Sequence, residues 1–291
     1  MSQPLVITLD SLKDELAGNA AGRYLLRISR STTAQEKQAD VDAMLTKSIQ
    51  EAQGVFESET FTFLTQRKVL TYPPEPDANG NLPVLGTDYD AADSGYDYMK
   101  VDWHETFGSL KLKHRPVVSV EALKLRYGQL GTPSIALNFP DQWKIIDYRL
   151  GLVHIIPIIG VGAYAAATLA ILTVAGANLA NTNTLPNVIA VDYTAGFLPK
   201  DFDAETDDPL IASPFEDVRP YLACVRYIAA AKVLRKLNRT LTMTGGSISI
   251  DGLSQSKQPN ALQGYIDDYE KQAKELKDLA LRARRPAFFT A

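Results

Sequence analysis

The sequence predicts an α+β fold in which a long N-terminal helix and two C-terminal helices form a helical core, with a β-rich middle elaboration. Apolar residues recur at three- and four-residue steps in residues 33–61, 214–240 and 259–284, which is the period of one helix face. Residues 98–159 and 187–197 instead show the alternation and β-branched composition of strands. Helices and strands thus fall in separate runs, which favours α+β over an alternating βαβ fold.

The N-terminal part predicts two helices followed by a strand. Residues 5–16 form a short lead-in, with Thr8 as the candidate N-cap. The long helix over 33–61 carries an apolar face that includes Phe56. The stretch 67–72 then changes to strand character.

The middle begins with a loop. Prolines and an Asn-Gly pair crowd residues 73–83, and an acidic, tyrosine-rich segment follows over 87–102. We interpret that segment as a solvated, mobile surface loop; the alternative is a partner contact, because tyrosine is favoured at interfaces. The strands predicted after it are 110–112, 118–125, two within 143–158, and 187–197 ending at Gly196.

The C-terminal part predicts two more helices. Pro214 and Pro220 fit the entry of the helix over 214–240. Residues 247–257 are predicted to be a polar, extended linker to the last helix. The predicted domains are 1–72 with 187–285 as the helical core, 73–186 as the β-rich insertion, and 286–291 as an extended docking tail.

Composition excludes several classes of protein. The 291 residues carry 30 Lys and Arg against 34 Asp and Glu, a net charge of −4, which argues against a protein that coats DNA. A single cysteine excludes an intrachain disulfide framework and a multi-cysteine zinc site.

One apolar run is long enough to need an explanation. No Asp, Glu, Lys or Arg occurs between residues 150 and 180. Pro157, Gly160 and Gly162 would interrupt a membrane helix, so we predict no membrane association. Instead the run is either a buried strand followed by an Ala-rich segment packed within the protein, or an insertion that is buried when copies assemble, because so much apolar surface is rarely left in water. The predicted inter-subunit residues are Tyr164, Leu169, Ile171 and Leu172.

Sequence motifs for catalysis are absent. No phosphate-binding glycine loop, no GxSxG and no HExxH occurs, and His104 beside Glu105 reads as a surface pair. Cys224 lies on an apolar helix face and is interpreted as a buried structural thiol. We therefore predict no enzyme, no cofactor and no metal. The alternative is a cation-binding module or metal-dependent enzyme that uses the acidic loops 88–93 and 201–208.

Three segments together resemble a known family. These segments resemble parts of the head–tail connector proteins of tailed bacteriophages. The first is the long N-terminal helix with Ala52, Phe56 and Phe63-Leu64. The others are the segment VIAVDYTAGFLP at 188–199, which leads into an Ala-rich helix, and SISIDGLSQSK followed by the last helix. The resemblance covers residues 33–70 and 187–285. Residues 73–186 have no counterpart in the compact core of the small members of that family.

The resemblance implies a structural virion protein of the neck, assembled from copies made in the host cytoplasm. It implies a ring, a dodecamer in this family, that lies beneath the portal protein, extends the DNA channel without sequence-specific binding, and offers a platform for a tail terminator or other neck proteins. It carries over no catalytic residue. The aromatic tail is either a frayed terminus or a segment that docks to the portal, since aromatic residues anchor interfaces. The residues predicted for this docking are Arg284, Arg285, Pro286, Phe288 and Phe289.

Overall fold

The computed structural model of the chain describes residues 5–17, 33–76, 80–99, 109–125, 135–136, 143–155, 184–213, 215, 217–243, 248–250, 253–255 and 262–282. Two compact units divide the chain. Unit 1 comprises residues 1–64 and 198–291, and unit 2 comprises residues 65–197.

Five helices and eleven strands are present in the described ranges. The helices, all in unit 1, are α1 (Leu9–Ala17), α2 (Ala34–Thr60), α3 (Pro209–Ala212), α4 (Arg219–Met243) and α5 (Gln263–Arg282). The strands are β1 (Arg67–Thr71), β2 (Ala91–Asp93), β3 (Tyr96–Met99), β4 (Ser109–Lys111), β5 (Val117–Leu125), β6 (Ile135–Ala136), β7 (Trp143–Asp147), β8 (Leu152–Ile155), β9 (Thr184–Ala195), β10 (Ile248–Ile250) and β11 (Leu253–Gln255). The predicted α+β class, with helices at both ends and a strand-rich middle, is confirmed.

Helices α1 and α2 begin at the side chains that the sequence indicates. The Thr8 hydroxyl accepts a hydrogen bond from the Ser11 amide at 3.1 Å, and the Thr33 hydroxyl accepts one from the Glu36 amide at 3.2 Å. Each cap satisfies an amide that has no partner within its own helix. The predicted N-cap at Thr8 is therefore confirmed.

Helix α4 is the centre of unit 1. Its residues Cys224, Val225, Ala229, Ala230, Val233, Leu234 and Leu237 are all fully buried. On one side it packs against α2, where Tyr221 meets Phe56 at a ring-centroid distance of 6.0 Å. On the other it packs against α5, where Tyr227 meets Tyr269 at 5.8 Å. Small and aliphatic side chains make up this buried face of α4, and the core of unit 1 forms around it.

The end of α2 is fixed by a buried carboxylate. Phe61 takes a left-handed conformation (φ 48°) that ends the helix. The Glu57 carboxylate, 5% exposed, accepts hydrogen bonds from the Leu64 amide at 3.1 Å and from the Gln53 side chain at 3.2 Å. The Leu198 amide then donates to the Leu64 carbonyl at 2.9 Å. A long helix thereby ends in a turn that returns the chain to the core.

Unit 2 is built around β9. This strand pairs antiparallel with β1, with β3 and with β5, and β2 adds to β1 in parallel. The resulting sheet has six strands with β6 at the far edge beside β5. A second sheet of three antiparallel strands has the order β4–β8–β7. Residues 148–151 join β7 to β8, at the position predicted for that connection.

Gly196 closes the central strand. Its φ of 143° lies in a region that other residues rarely adopt, and a Cβ there would lie 2.4 Å from the Thr65 carbonyl oxygen and 2.5 Å from the Gln66 Cα. The Gly196 amide donates to the Pro116 carbonyl at 2.8 Å. Only glycine fits this close approach of two backbone segments.

Three segments differ from the sequence predictions. Residues 91–93 and 96–99 were expected to be part of a mobile loop, but they form β2 and β3 because β1 and β9 supply ladder partners. Residues 247–257 were expected to be an extended linker, but Ile248–Ile250 pairs antiparallel with Leu253–Gln255. The predicted helix over 214–240 begins later, at Arg219, and is preceded by the short helix α3.

The predicted and observed boundaries of the middle region differ by two strands. The predicted helical core comprises 1–72 and 187–285, whereas β1 and β9 lie in unit 2. These two strands pair with each other, from Arg67 opposite Ala195 to Val69 opposite Tyr193. Because these two strands pair although they are far apart in the sequence, both belong to the sheet of unit 2.

Candidate functional site

A buried polar cluster connects four segments of unit 2. The Asp93 carboxylate, 2% exposed, accepts hydrogen bonds from the hydroxyl of Tyr96 at 2.5 Å and from that of Tyr193 at 3.2 Å. The Tyr96 hydroxyl oxygen in turn accepts from the Lys113 amide at 2.9 Å, and the Tyr193 oxygen accepts from the His114 amide at 3.2 Å. The cluster thus joins β2, β3, β9 and the segment between β4 and β5.

Burial keeps the ring side chains of this cluster uncharged. Loss of solvent raises the pKa of the Tyr96 and Tyr193 hydroxyls, and the nearby Asp93 charge raises both further. Loss of solvent also lowers the pKa of His114 to about 4, against the opposite influence of Asp93. At neutral pH both hydroxyls therefore act as donors to Asp93. Because the carboxylate is buried among strands, the cluster suits a packing role.

The carboxylates of the first acidic loop bind separate partners. Asp88 accepts from the Val84 amide at 2.7 Å, and Asp90 accepts from the Lys68 amide at 3.0 Å. Asp93 is the buried acceptor of the tyrosine cluster. The three carboxylates of loop 88–93 thus accept hydrogen bonds from three different segments. This arrangement does not favour a cation bound by all three.

Carboxylates of the second acidic loop, 201–208, accept hydrogen bonds from backbone amides of the same segment or of α3. Asp207 accepts from the Asp203 amide at 2.9 Å, and Asp203 accepts from the Glu205 amide at 3.0 Å. Asp208 caps α3 by accepting from the Leu210 amide at 2.9 Å. Within the described residues, no group of three His, Cys, Asp or Glu side chains is placed to hold a metal ion. No specific observation therefore favours the cation-binding alternative.

Exposed apolar side chains occur on two well-defined segments. In unit 2, Leu82, Val84 and Leu85 lie 58–63% exposed on a turn that is closed by the Gly86 amide donating to the Tyr89 carbonyl at 2.7 Å. We call residues 82–85 the apolar loop. In unit 1, Leu210 and Ile211 of α3 are 46% and 83% exposed next to the acidic loop. We call residues 201–211 the acidic–apolar surface. Apolar groups held outward by ordered backbone are typical of surfaces that bind another protein.

Cys224 is a buried thiol, as the sequence predicts. Its Sγ donates to the Ala273 carbonyl at 3.3 Å, between α4 and α5. Burial raises the pKa of the thiol to about 12, so the thiol stays protonated at neutral pH. A protonated thiol packed between helices is not a nucleophile.

The residues predicted from the sequence for docking and for inter-subunit contact lie outside the described residues. This holds for the predicted docking residues Arg284, Arg285, Pro286, Phe288 and Phe289, and for the predicted inter-subunit residues Tyr164, Leu169, Ile171 and Leu172. His104 and Glu105 also lie outside that part of the chain. None of the helices in the described ranges is both long and apolar enough to cross a membrane.

The tyrosine cluster was not predicted from the sequence. Asp93 and Tyr193 are separated by 100 positions, and no local pattern links them. The sequence feature that could have indicated the cluster is the alternation of tyrosine and acidic residues in 87–102. This segment was predicted to be a loop or a partner contact. In the structure, Tyr96 from this segment faces the interior of unit 2.

Comparison with known proteins gives only distant matches. No protein-family model matches the chain, and no curated protein matches its sequence. Among solved structures, a chain in the neck of an empty gene transfer agent particle computed with C6 symmetry is 12% identical, with a TM-score of 0.37 over 92% of this chain and 91% of that chain. A chain in the virion of a native gene transfer agent particle is 13% identical, with a TM-score of 0.34 over 85% of this chain and 87% of that chain. TM-scores this low do not establish a shared fold, so neither likeness decides the function.

Proposed function

We propose that the chain is a structural protein of a virion neck: a head-to-tail adaptor that forms a ring beneath the portal. The observation that carries the proposal is the order of three segments that resemble connector proteins: the long helix α2, the strand β9 with Gly196 after it and α4 further on, and the last helix α5. Helices α2, α4 and α5 also pack together within unit 1. In this proposed role the chain catalyses no reaction and needs no cofactor.

Exposed apolar segments support an assembling protein. The apolar loop and the acidic–apolar surface hold five aliphatic side chains in water, on backbone that is fixed by hydrogen bonds. Burying such side chains contributes roughly 25 cal/mol per Å², so association with other chains is favourable. In the proposed ring, Tyr164, Leu169, Ile171 and Leu172 would add further contacts between subunits.

The charge of the chain suits a channel through which DNA moves. A net charge of −4 gives few strong phosphate contacts, and a strongly basic lining would hold the genome in place. We propose that the ring extends the DNA channel and binds no specific sequence. Its other proposed partners are the portal, through residues 284–289, and a tail terminator or other neck protein.

The test is the mass of the particle, measured by light scattering for the purified chain alone and mixed with its portal. A ring of about a dozen copies on the portal is expected, and electron microscopy of the same sample counts the subunits. A chain that stays monomeric and does not bind portal would contradict the proposal.

Two variants assign the roles of the predicted residues. Leu169→Asp with Leu172→Asp is expected to block ring formation, because a charge cannot be buried unpaired between subunits. The matched control is Leu279→Asp, at an exposed position of α5. Phe288→Ser with Phe289→Ser is expected to leave the ring intact and to weaken portal binding about tenfold or more.

A further inference from the structure

Helix α3 exposes two aliphatic side chains to solvent on a backbone that is fixed by hydrogen bonds. Ile211 is 83% exposed and Leu210 is 46% exposed. The Ser213 amide closes the helix by donating to the Pro209 carbonyl at 3.2 Å. Phe202 anchors the segment with only 2% of its surface exposed. The two aliphatic groups are therefore a fixed apolar patch.

Acidic side chains adjoin this patch in the sequence. Those of Asp201, Asp203, Glu205, Asp207 and Asp208 are all exposed. The same stretch, from residue 200 to 213, contains a single basic residue, Lys200. An apolar patch beside such a negative segment suits a partner segment that carries basic and apolar side chains together.

Packing within unit 1 places the end of α5 beside the start of α4. Cys224 meets Ala273, and three residues further along α4 Tyr227 meets Tyr269, so α4 and α5 run antiparallel. The C-terminal end of α5 also reaches the end of α2, because Lys277 pairs with Glu59 at 2.6 Å. Helix α3 precedes α4 by only six residues. Helix α3 is therefore connected by a short segment to the end of α4 beside which α5 ends.

The residues that follow α5 have the complementary chemistry. The sequence from 282 to 289 is Arg-Ala-Arg-Arg-Pro-Ala-Phe-Phe, with three arginines, two phenylalanines and no acid. Phe288 comes six residues after Arg282, a reach of up to ~20 Å for an extended chain. The segment therefore carries the charges and rings that complement the acidic–apolar surface.

We propose that the acidic–apolar surface of unit 1 binds the chain's own residues 283–289. Phe288 and Phe289 cover Leu210 and Ile211, while Arg284 and Arg285 lie against the carboxylates of 201–208. A tethered segment has an effective concentration of about a millimolar, so weak contacts suffice to hold it. This binding needs no portal, so it can be tested separately from the proposed function. In an adaptor, it would keep the portal-docking residues covered until the portal competes for them.

Peptide binding to the full-length chain tests this proposal. The probe is a fluorescein-labelled peptide of residues 282–291, measured by fluorescence polarisation. The first host is a full-length variant with Arg284→Ser, Arg285→Ser, Phe288→Ser and Phe289→Ser, whose surface is predicted to be free. The second host is the unchanged chain, in which the tethered segment is expected to weaken peptide binding about tenfold.

A surface variant locates the binding site. Ile211→Ser, added to the first host, is expected to weaken peptide binding about tenfold, and raising the salt from 50 to 500 mM is expected to weaken it as well. Leu85→Ser, at another exposed aliphatic site, in unit 2, is the matched control and should have no effect. Circular dichroism at 222 nm verifies that every variant is folded.

Three results would overturn the proposal. The first is no binding of the peptide to the four-serine host. The second is binding that Ile211→Ser leaves unchanged. The third is equal binding to both hosts, or a difference between them that disappears on dilution, which would assign the surface to a segment of another copy.

Discussion

The two units of this chain are stabilised in different ways. Unit 1 depends on long helices whose small and aliphatic side chains are buried along α4. Unit 2 depends on a sheet whose short outer strands meet at a buried network of Asp93, Tyr96 and Tyr193. Apolar burial is non-directional and tolerates small shifts, whereas a buried carboxylate requires each of its donors in place. Unit 1 should therefore be damaged most by buried charge, and unit 2 by changes in backbone fit and hydrogen bonding.

The two units can be observed separately. Both tryptophans, Trp103 and Trp143, belong to unit 2, so tryptophan fluorescence follows that unit. All described helices belong to unit 1, so circular dichroism at 222 nm mainly follows unit 1.

The largest effect is expected for Ala230→Asp. Ala230 is fully buried on α4, and an unpaired carboxylate there should cost about 3–5 kcal/mol of unfolding free energy. The helical signal should melt at lower temperature or be absent. The control is Ala43→Asp on the exposed side of α2, which should change stability little. Equal stability of the Ala230 variant would mean that the buried face of α4 is wrongly assigned.

Gly196→Ala should be nearly as severe, but in unit 2. The added Cβ would meet the Thr65 carbonyl oxygen at 2.4 Å in a backbone conformation that alanine avoids, at a cost of about 3 kcal/mol. The tryptophan transition should shift more than the helical one. Gly264→Ala, where nothing lies within 4 Å, is the control. An unshifted tryptophan transition would show that the strand end relaxes freely.

Acid should weaken unit 2 through His114. The pKa of this side chain is lowered by burial from 6.5 to about 4, with Asp93, Lys113 and Arg67 as the charged groups that act on it. The unfolded chain therefore takes up a proton before the folded chain does, and stability is lost as the pH falls from 6.5 towards 4. Between pH 7.5 and pH 5 the loss should be about 2 kcal/mol. The measurement is urea unfolding followed by tryptophan fluorescence, and His114→Gln should abolish this part of the pH dependence.

Tyr193→Phe tests the hydrogen bonds of the cluster with little change in volume. It removes one donor to Asp93 and the acceptor of the His114 amide, which should cost about 1–2 kcal/mol. Tyr265→Phe, on α5 in unit 1, is the matched control and should leave the tryptophan transition unchanged. If both variants were equally stable, the sheet alone would account for unit 2.

Gly54→Ala should have the smallest effect, and it should stabilise. Gly54 is exposed in the interior of α2, and nothing lies within 4 Å of the position of a Cβ. Replacing glycine with alanine inside a helix contributes about 1 kcal/mol. The helical transition should rise while the tryptophan transition stays in place. A destabilised variant would mean that this face of α2 is covered by another chain.

The helices could be predicted because their signals are local. Thr33 and the apolar residues from Val41 to Phe56 place α2 within one residue of its observed bounds, and Thr8 does the same for the start of α1. A helix forms its hydrogen bonds within itself, so its cap and its period are enough to define it. Strands β5, β8 and β9 were also recognised, because their alternation is regular.

The tertiary structure decided what depends on distant partners. By sequence, residues 91–99 resemble a solvated loop. In the structure, β2 pairs with β1, β3 pairs with β9, and Asp93 accepts a hydrogen bond from the Tyr193 hydroxyl. The pairing of β1 with β9 likewise transfers both strands to unit 2, although each adjoins helical segments in sequence. The sequence by itself determined the helices α1, α2, α4 and α5, most strands and the α+β class, because those follow from local period and capping. Only tertiary structure decided the burial of the acidic tyrosine segment, because a strand acquires its hydrogen bonds from residues elsewhere in the chain.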